Sequence, residues 1–542
     1  MNNLVFKFEM PQNEPTYQYE KGSKERENVI SELKKLSNQE IEIPLIIGGK
    51  EIRTGNVGKV VMPHNHHKTL ATYHKVGEKE VQMAIEEALK AKKMWENLPF
   101  IDRAAIMLRA ADLLSTKYRS LILASTMLGQ NKNIYQAEID AVCETIDYLR
   151  YNAYFASKIY ADQPRSMSGQ LNFIEYRPLE GFVFAVTPFN FTAIASNLNM
   201  APALMGNTTI WKPSRTALFS NYFLMKIYQE AGMPDGVINF LPGQGSVIGN
   251  VALAHKDLGG LHFTGSNETF NSLWQQISNN INNYRSYPRL VGETGGKDFI
   301  FVHNSADPLE VATSIVRGAF EYQGQKCSAA SRGYIPKSLW NEIKQHLLDQ
   351  ISQIKVGGVE DFSNFVNAVI DEAAFDKIMS YINYAKQSNE AEILIGGEGD
   401  KSTGYFIKPT VIVTTNPYFK TMQEEIFGPV FTLFVYDDNK YQETLEICNN
   451  TSPYGLTGSI FGYDRYAVMQ AFNTLRYAAG NFYINDKPTG AMVGLQPFGG
   501  SRASGTNDKA GGYFNLLRWT SPRTVKETFM PPTDFKYPFM EI

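Results

Sequence analysis

The sequence is poor in cysteine, has no excess of one charge and contains no long apolar run. Its three cysteines, Cys143, Cys327 and Cys448, are odd in number and widely spaced, which argues against a disulfide framework or a CxxC metal site and indicates a reducing compartment. The formal net charge of −3 offers no basic field for nucleic acid or an anionic membrane. The longest apolar stretches, such as 181–189, are strand-sized and shorter than the roughly 20 residues of a membrane span. Small-molecule chemistry is therefore the favoured class of function.

The N-terminal region also lacks a recognisable targeting signal. Residues 1–15 contain acids and prolines, and they form neither an apolar signal core nor an Arg/Ser-rich transit segment. We expect a cytoplasmic protein, or a mitochondrial matrix protein if the source is eukaryotic. Residues 1–45 are polar and charged, and we expect them to form an arm that wraps or docks.

Apolar periodicity predicts an α/β fold. Residues 78–95 have apolar positions spaced three and four apart, which predicts an amphipathic helix, and further helices are expected to about residue 156. Short apolar runs then alternate with helical segments, at 181–187, 208–212, 236–241, 260–264 and 289–291. Such spacing is typical of βαβ units, so we expect a doubly wound parallel sheet that binds ligands at the carboxyl ends of its strands.

Two further regions follow that first series. A second strand–helix series is expected from about 299 to 482, with a helix over 308–322. Residues 483–542 are rich in glycine, proline and aromatics, and they are expected to form loops and a terminal strand used in subunit assembly.

Cys327 lies in a loop of small residues, GQKCSAASR, where Lys326 and Arg332 could help to hold a thiolate. Taken alone, a cysteine is more often an inert buried residue. Glu293 ends an apolar strand before the glycine pair 295–296, which we expect to be flexible, and a carboxylate there suits a general base. A helix cap or a solvated acid is the simpler alternative.

Polar residues after other strands suggest further roles. Asn190 follows the first strand of the series, where its amide could stabilise an oxyanion or simply satisfy a turn. Lys212 ends the second strand, where an ammonium could reach a ribose or a phosphate. The glycines in PGQGSVIG are spaced GxGxxxG, one residue longer than the dinucleotide fingerprint. Gly265 and Ser266 could place helix amides against a pyrophosphate, or Ser266 could be a plain helix cap.

The eight histidines do not suggest a metal site. His64, His66, His67 and His74 lie in a polar stretch, and we interpret the first three as solvated surface. We expect no metal.

Four separated segments occur in a fixed order: PFNF at 188–191, LVGETGGKD at 290–298, GQKCSAASR at 324–332 and EEIFGPV at 424–430. Their combination resembles the aldehyde dehydrogenase superfamily over roughly residues 60–530. The resemblance implies that Cys327 is the nucleophile and Glu293 the base that activates the deacylating water. It also implies that Asn190 stabilises the oxyanion together with the backbone N–H of Cys327.

The same resemblance implies a set of cofactor positions. These are Phe189, Lys212, Ser214, Gly245, Gly265, Ser266, Glu425 and Phe427. NAD is the implied cofactor. Many relatives prefer NAD through a glutamate at the position of Arg215, and an arginine there cannot repel the phosphate of NADP, so the use of NADP stays open.

The segment 478–512, with RWTSP at 518–522 and VKETF at 525–529, is similar to the branch of this family that acts on glutamate γ-semialdehyde. The resemblance implies that main-chain amides at Gly490 and Ala491 hold the substrate carboxylate, beside Ser328. It places Phe498 over the aliphatic chain and Glu144 near the ammonium. Some relatives carry serine at the position of Ala491, but recognition by main-chain amides survives that difference.

The resemblance therefore implies oxidation of L-glutamate γ-semialdehyde, in equilibrium with 1-pyrroline-5-carboxylate, to L-glutamate with NAD. This reaction is the second step of proline degradation. The alternatives are an NAD(P) dehydrogenase for another semialdehyde and a binding protein built on a disabled dehydrogenase fold. A disabled fold should lack one of the three catalytic candidates, and all three are present.

The implied organisation is a Rossmann-type NAD domain, an α/β catalytic domain and a β-rich oligomerisation flap. We expect an arm at 1–45, an NAD domain at 46–298 with part of the flap near 160–180, a catalytic domain at 299–485, and the substrate-anchor loop with a C-terminal oligomerisation segment at 486–542. A homodimer or higher homo-oligomer is expected, without nucleic acid or membrane. Any proline dehydrogenase that acts beside it must be a separate chain, since no part of the sequence provides a flavin barrel.

Overall fold

The computed structural model describes residues 7–540. The helices are α1 (Lys24–Ser37), α2 (Glu78–Trp95), α3 (Phe100–Ser115), α4 (Arg119–Gln130), α5 (Ile134–Ala137), α6 (Glu144–Ala161), α7 (Thr192–Leu204), α8 (Leu218–Glu230), α9 (Gly245–Ala254), α10 (Asn267–Asn279), α11 (Pro308–Phe320), α12 (Lys337–Ser352), α13 (Glu372–Lys386), α14 (Lys420–Gln423), α15 (Tyr441–Asn450), α16 (Arg465–Thr474) and α17 (Tyr513–Arg518). Within the described residues, no helix is both long and apolar enough to cross a membrane.

The strands are β1 (Ile41–Ile43), β2 (Leu45–Ile47), β3 (Lys50–Ile52), β4 (Val57–Met62), β5 (Asn65–His74), β6 (Gln170–Pro178), β7 (Phe182–Val186), β8 (Thr209–Lys212), β9 (Ile238–Phe240), β10 (Leu258–Thr264), β11 (Arg289–Glu293), β12 (Asp298–Val302), β13 (Ala330–Pro336), β14 (Ala391–Ile395), β15 (Gly399–Asp400), β16 (Phe406–Ile407), β17 (Thr410–Thr414), β18 (Val430–Tyr436), β19 (Tyr454–Gly455), β20 (Thr457–Phe461), β21 (Asn481–Ile484), β22 (Ser501–Arg502) and β23 (Thr520–Thr528).

The first large sheet has the order β11-β10-β7-β8-β9-β2-β3. Pairing is parallel from β11 to β9, and β2 and β3 add an antiparallel edge. All five residues of β7 are buried, which suits a strand covered on both faces. The chain runs outward from β7 to β9 and then returns to β10, so the strand order reverses between β7 and β10. This is the doubly wound sheet that the five apolar runs predict, and ligands bind at such a reversal.

The second large sheet has the order β14-β17-β18-β13-β12-β20-β21, and only the β14–β17 pair is antiparallel. The helix expected over 308–322 ends earlier, at Phe320, because Tyr322 and Gln323 adopt positive φ angles of 51° and 56°. This tight turn carries the chain from α11 into the loop that holds Cys327.

Two smaller features lie around these sheets. The strand β6 pairs with β23 in an antiparallel ribbon whose Leu171 and Phe173 side chains are exposed. At the other end of the chain, residues 7–20 run without helix or strand, and α1 buries Val29, Leu33 and Leu36 in the main hydrophobic core. The polar N-terminal stretch therefore docks through one apolar helix face.

Candidate active site

The loop that carries Cys327 is fixed by the side chains of the turn before it. Tyr322 donates a hydrogen bond from its hydroxyl to the carbonyl of Gln130 (2.8 Å). The Gln323 amide donates to the carbonyl of Asn131 (3.0 Å). Both side chains are almost fully buried, so the positive φ angles of this turn are held by packing and hydrogen bonds. The nucleophile candidate therefore lies on a rigid support.

Cys327 and Glu293 are in direct contact. The thiol donates to Glu293 Oε1 across 3.4 Å, and the cysteine is 8% exposed. Burial raises the pKa of the Cys327 thiol well above its usual range, and the neighbouring Glu293 charge adds to this effect. Burial also raises the pKa of Glu293 to about 7, against the opposing effects of the thiol hydrogen bond and the Lys509 charge. A carboxylate with this pKa can accept a proton near neutral pH.

The expectation that Lys326 and Arg332 hold a thiolate is wrong. The Lys326 ammonium lies 3.6 Å from Glu321 and 3.8 Å from Asp140. The Arg332 guanidinium donates to main-chain carbonyls and to the Tyr334 hydroxyl. Both cations are buried and need these local acceptors, because an unpaired buried charge is costly. They are therefore engaged away from the sulfur.

Asn190 lies beside the same loop. Its Nδ2 donates to the carbonyl of Gln325 (3.1 Å), and the residue is 4% exposed. An amide nitrogen has two protons, so one N–H is available for another acceptor. The strand end of β7 thus brings an amide donor to the main chain just before Cys327.

The glycine pair after Glu293 is closely packed, and the expectation that it is flexible is wrong. A Cβ at Gly296 would overlap the carbonyl oxygen of Cys327, and one at Gly295 would overlap the Glu425 carboxylate. Glu425 accepts a hydrogen bond from the Gly296 N–H (2.9 Å). Glycine is needed at both positions because other groups approach the backbone there.

A cavity of about 230 Å³ extends from Cys327. Its walls include all five residues expected at a substrate site: Glu144, Ser328, Gly490, Ala491 and Phe498. Ser328 shares a 2.7 Å hydrogen bond with Thr489, which ties the loop of the cysteine to the loop of Gly490. Gly490 has a φ angle of +97°, which glycine adopts far more readily than other residues.

Glu144 enters this cavity from the first turn of α6, directly after a π-helical turn at Glu138–Cys143. Burial raises the pKa of Glu144 well above its usual range, and the charge of Asp140 contributes in the same direction. The buried Lys132 ammonium contacts Asp140 (2.5 Å) and lies 4.2 Å from the ring centroids of Phe191 and Tyr322. The Asp140 carboxylate, which also lines the cavity, is therefore paired with a buried cation.

A second cavity, of about 400 Å³, lies at the carboxyl edge of the first sheet. Lys212 and Gly245 contribute to its lining, together with Gly249. A Cβ at Gly245 or Gly249 would reach its nearest neighbour only at 3.8 or 3.9 Å, so the two glycines leave this face of α9 open. Burial lowers the pKa of Lys212 to about 8, with a contribution from Arg215. The N-terminus of α9, which has no side-chain cap, lies beside the Lys212 ammonium, and both features favour binding of an anionic dinucleotide.

The other expected cofactor residues lie outside the lining of this second cavity. Ser266 caps α10 by accepting the Thr269 N–H (3.2 Å). The Gly265 N–H donates to the carbonyl of Glu293. Phe189 and Phe427 pack edge to face with ring centroids 5.8 Å apart. Ser214 shares a hydrogen bond with Thr216 at the start of a short 3₁₀ turn.

The interpretation of His64 as solvated surface is wrong. His64 is 8% exposed and contacts Asn131 at 2.5 Å and Glu360 at 3.1 Å. These partners come from loops that are distant in the sequence, so the polar character of the local stretch gave no sign of the burial.

The family model described as "Aldehyde dehydrogenase family" matches residues 52–525. The chain belongs to the aldehyde dehydrogenase family. Its relatives include the mitochondrial delta-1-pyrroline-5-carboxylate dehydrogenase of Dictyostelium discoideum, which is 54% identical over 98% of this chain and 96% of that protein.

Solved structures of the family resemble the fold along its length. The delta-pyrroline-5-carboxylate dehydrogenase of Mycobacterium tuberculosis, bound with NAD, has a TM-score of 0.97 and 49% identity over 100% of both chains. The proline utilization A protein of Bdellovibrio bacteriovorus has a TM-score of 0.90 and 30% identity. That match covers 96% of this chain and 53% of the longer protein.

The structure of this family member also adds residues that sequence reasoning missed. Thr489 lines the substrate cavity, and Lys509 faces Glu293 in an adjoining small cavity. Lys509 is held by the carbonyls of Gly480 and Gly499, both at 2.8 Å. Thr489 could have been found from its place beside Gly490, whereas the partners of Lys509 are apparent only after folding.

Proposed function

We propose that this aldehyde dehydrogenase oxidises L-glutamate γ-semialdehyde to L-glutamate with NAD, as the second step of proline degradation. The observation that carries the proposal is one cavity that joins Cys327 to Gly490, Ala491 and Glu144. A thiol lies at one end, and groups suited to an amino-acid head group lie at the other. The names of the Dictyostelium relative and the NAD-bound mycobacterial structure support this substrate and cofactor.

Cys327 is the nucleophile in this proposal. The thiol first loses its proton to solvent, and the thiolate sulfur then forms a bond to the aldehyde carbon while the carbonyl π electrons move to the oxygen. Asn190 and the Cys327 N–H donate to that oxyanion. Loss of hydride from the carbon restores the carbonyl as a thioester on Cys327. Hydrolysis then gives the carboxylate product and returns the thiol.

Glu293 is the base for hydrolysis. Because its carboxylate lies 3.4 Å from the sulfur, a water that attacks the thioester carbon comes within its reach. Its pKa of about 7 lets it take a proton from that water and release it to solvent in each cycle. The Lys509 charge favours the ionised form of Glu293, which is the form that can accept a proton.

NAD, when bound, supplies the acceptor for the hydride. Lys212 and Gly245 would hold it in the second cavity, and Ser214, in the turn after β8, would contact it as well. Gly265 and Ser266 would hold it at the start of α10. Phe189 and Phe427, whose rings pack together, and Glu425, which accepts from the Gly296 N–H, would contact the cofactor nearer to Cys327. Arg215 pairs with Asp371 at 3.7 Å and is exposed, so some NADP use is compatible with this edge.

Substrate recognition would occur at the distal end of the cavity. Main-chain amides at Gly490 and Ala491 and the Ser328 hydroxyl would hold the α-carboxylate, and Phe498 would cover the aliphatic chain. Glu144 would face the ammonium. An NAD(P) aldehyde dehydrogenase for another semialdehyde is the alternative, and it would have no use for this paired arrangement.

The proposed domain division is an arm at 1–45, an NAD domain at 46–298 with part of the flap near 160–180, a catalytic domain at 299–485, and an anchor and assembly segment at 486–542.

The exposed ribbon of β6 and β23 supports assembly into a homodimer or higher oligomer. The half-length match to proline utilization A supports a separate proline dehydrogenase as a partner. The mitochondrial names of relatives support a matrix location in a eukaryotic source and a cytoplasmic one otherwise.

Product analysis tests this proposal. The purified protein is incubated with glutamate γ-semialdehyde and NAD, or with succinate semialdehyde and NAD, and the products are identified by mass spectrometry. We expect stoichiometric glutamate and NADH, with slower oxidation of succinate semialdehyde. A clear preference for succinate semialdehyde would favour a dehydrogenase for another semialdehyde. Absence of any oxidation would refute the proposed activity as a whole.

A further inference from the structure

The N-terminal stretch at residues 13–16 reaches the rim of the substrate cavity. Glu14 and Thr16 contribute to its lining, beside Asp147 of α6 and Val493. The Glu14 carboxylate lies 2.7 Å from Arg119 and 2.7 Å from Arg150, and its side chain is 8% exposed. The stretch is therefore fixed to α4 and α6 by partly buried charge pairs.

Asn13 uses both amide protons and its carbonyl oxygen in hydrogen bonds. Its Nδ2 donates to Asp147 Oδ2 (2.7 Å) and to the carbonyl of Val493 (2.8 Å). Its Oδ1 accepts from the Tyr151 hydroxyl (3.2 Å). The neighbouring Glu14 N–H donates to the other oxygen of Asp147 (2.7 Å). Two acceptors face the amide nitrogen, so only a side chain with paired donors fits this position.

The acceptor Val493 belongs to the substrate loop 489–493, whose residues all line the cavity. Next to it, Gly494 has a φ angle of +82°, and a Cβ there would overlap the Tyr151 ring. The loop is thus pressed against α6 at Gly494 and tied to it through Asn13 at Val493. At its other end, Thr489 bonds to Ser328. The main-chain amides of Gly490 and Ala491 lie between these two attachments.

We propose that residues 13–16 form one wall of the substrate cavity and that Asn13 is a positioning residue, which fixes the loop 489–493 against α6 so that its amides can receive the substrate carboxylate. This inference rests on the proposed function. Without Asn13, the carbonyl of Val493 and the Asp147 carboxylate lose a shared donor, and the loop can move away from α6. An aldehyde without a carboxylate does not use the loop amides and is not affected.

The test compares the wild type with Asn13→Ala, the isosteric Asn13→Asp, and the control Gln12→Ala, whose exposed side chain neighbours Asn13. We expect both Asn13 variants to raise KM for glutamate γ-semialdehyde about tenfold, while kcat for that substrate and kcat/KM for propanal stay within about twofold of wild type. The Gln12→Ala variant should match the wild type. Proportional losses toward both aldehydes, or unchanged KM values, would overturn the inference.

Hydrogen exchange on the NAD-bound enzyme provides a readout that does not depend on the substrate. Amides of 489–493 should exchange at least about threefold faster in Asn13→Ala than in wild type or Gln12→Ala. Unchanged exchange would overturn the role of Asn13 whatever the kinetics show. If the wild type has no preference for glutamate γ-semialdehyde over propanal, the proposed function fails, and exchange alone decides whether Asn13 holds the loop.

Discussion

At the reactive end of the substrate cavity, Asn190 follows the strand β7, Glu293 is the last residue of β11, and Cys327 precedes β13. At the distal end, Gly490 and Ala491 lie on a loop without helix or strand. Asn190 and Glu293 thus take their positions from the carboxyl ends of parallel strands, and Cys327 takes its position from the packed turn before β13, whereas the distal loop depends on single side-chain contacts. We infer that the chemistry is carried by the sheets and the specificity by the loops, so changes at the two ends should have separable effects.

The largest effect is expected at the reactive end, from Cys327→Ala. Without the sulfur no thioester can form, so NADH production should fall by on the order of 10⁴-fold or more with every aldehyde. Cys448→Ala is the control, because Cys448 is a buried thiol within α15. Near wild-type NADH production by Cys327→Ala, measured in steady state, would remove Cys327 as the nucleophile.

Glu293→Gln should separate the two steps at the same end. The variant should keep a burst of NADH, because hydride transfer precedes the hydrolysis that needs the base. Loss of the carboxylate also removes a charge that raises the pKa of the Cys327 thiol. Its turnover should fall about 10²- to 10⁴-fold, the usual contribution of a general base. Stopped-flow measurement of the burst, followed by the steady-state rate, checks this.

The pH profile is the control for Glu293. Because burial raises the pKa of Glu293 to about 7, its basic form is lost as pH falls through that value, and wild-type turnover should fall with it. Glu293→Gln should lack this acid limb. Equal losses of burst and turnover, with NAD binding intact, would contradict the assigned order of steps.

Asn190→Ala should slow the burst itself by about 2 to 4 kcal/mol of activation free energy, the scale for one oxyanion donor. The effect should be equal for glutamate γ-semialdehyde and propanal, because both form the same oxyanion. Burst rates for the two aldehydes at saturation provide the measurement. A normal burst rate would show that Asn190 only fixes the Gln325 carbonyl.

Gly490→Ala should have the smallest effect and should act at the distal end only. A side chain at a φ angle of +97° costs about 1 to 2 kcal/mol of strain, which the loop can relieve by moving its amides. KM for glutamate γ-semialdehyde should rise about tenfold, while propanal oxidation is unchanged. Gly55→Ala is a matched control, since Gly55 also has a positive φ and a Cβ there would meet no other atom within 4 Å. Equal changes for both aldehydes would show that the two ends are not separable.

The difference between the two ends also explains what the sequence can predict. Apolar runs locate β7, β8 and β11, and because parallel strands end at one edge, Asn190, Lys212 and Glu293 can be placed there without knowledge of any contact. The motif around Cys327 then supplies the nucleophile candidate. Sequence order is enough wherever a residue is positioned by the strand that it follows.

Contacts between distant segments cannot be predicted in this way. Asn13 and Val493, like Lys509 and the carbonyls that hold it, meet only after folding. The same reason explains the errors at Arg332 and His64, whose charged or polar groups find partners in other loops. The Gly295–Gly296 pair is rigid rather than flexible because Cys327 and Glu425 approach its backbone, and that approach leaves no local signal in the sequence.

The central claim is that the distal loop gives the enzyme its preference for an amino-acid aldehyde, whereas the reactive end can oxidise aldehydes in general. Its most direct test is the ratio of kcat/KM for glutamate γ-semialdehyde to kcat/KM for propanal in the wild-type enzyme with NAD. We expect a ratio of about one hundred or more, because an aldehyde without the head group leaves the polar groups of the distal end unpaired. Equal efficiency toward the two aldehydes would contradict the claim.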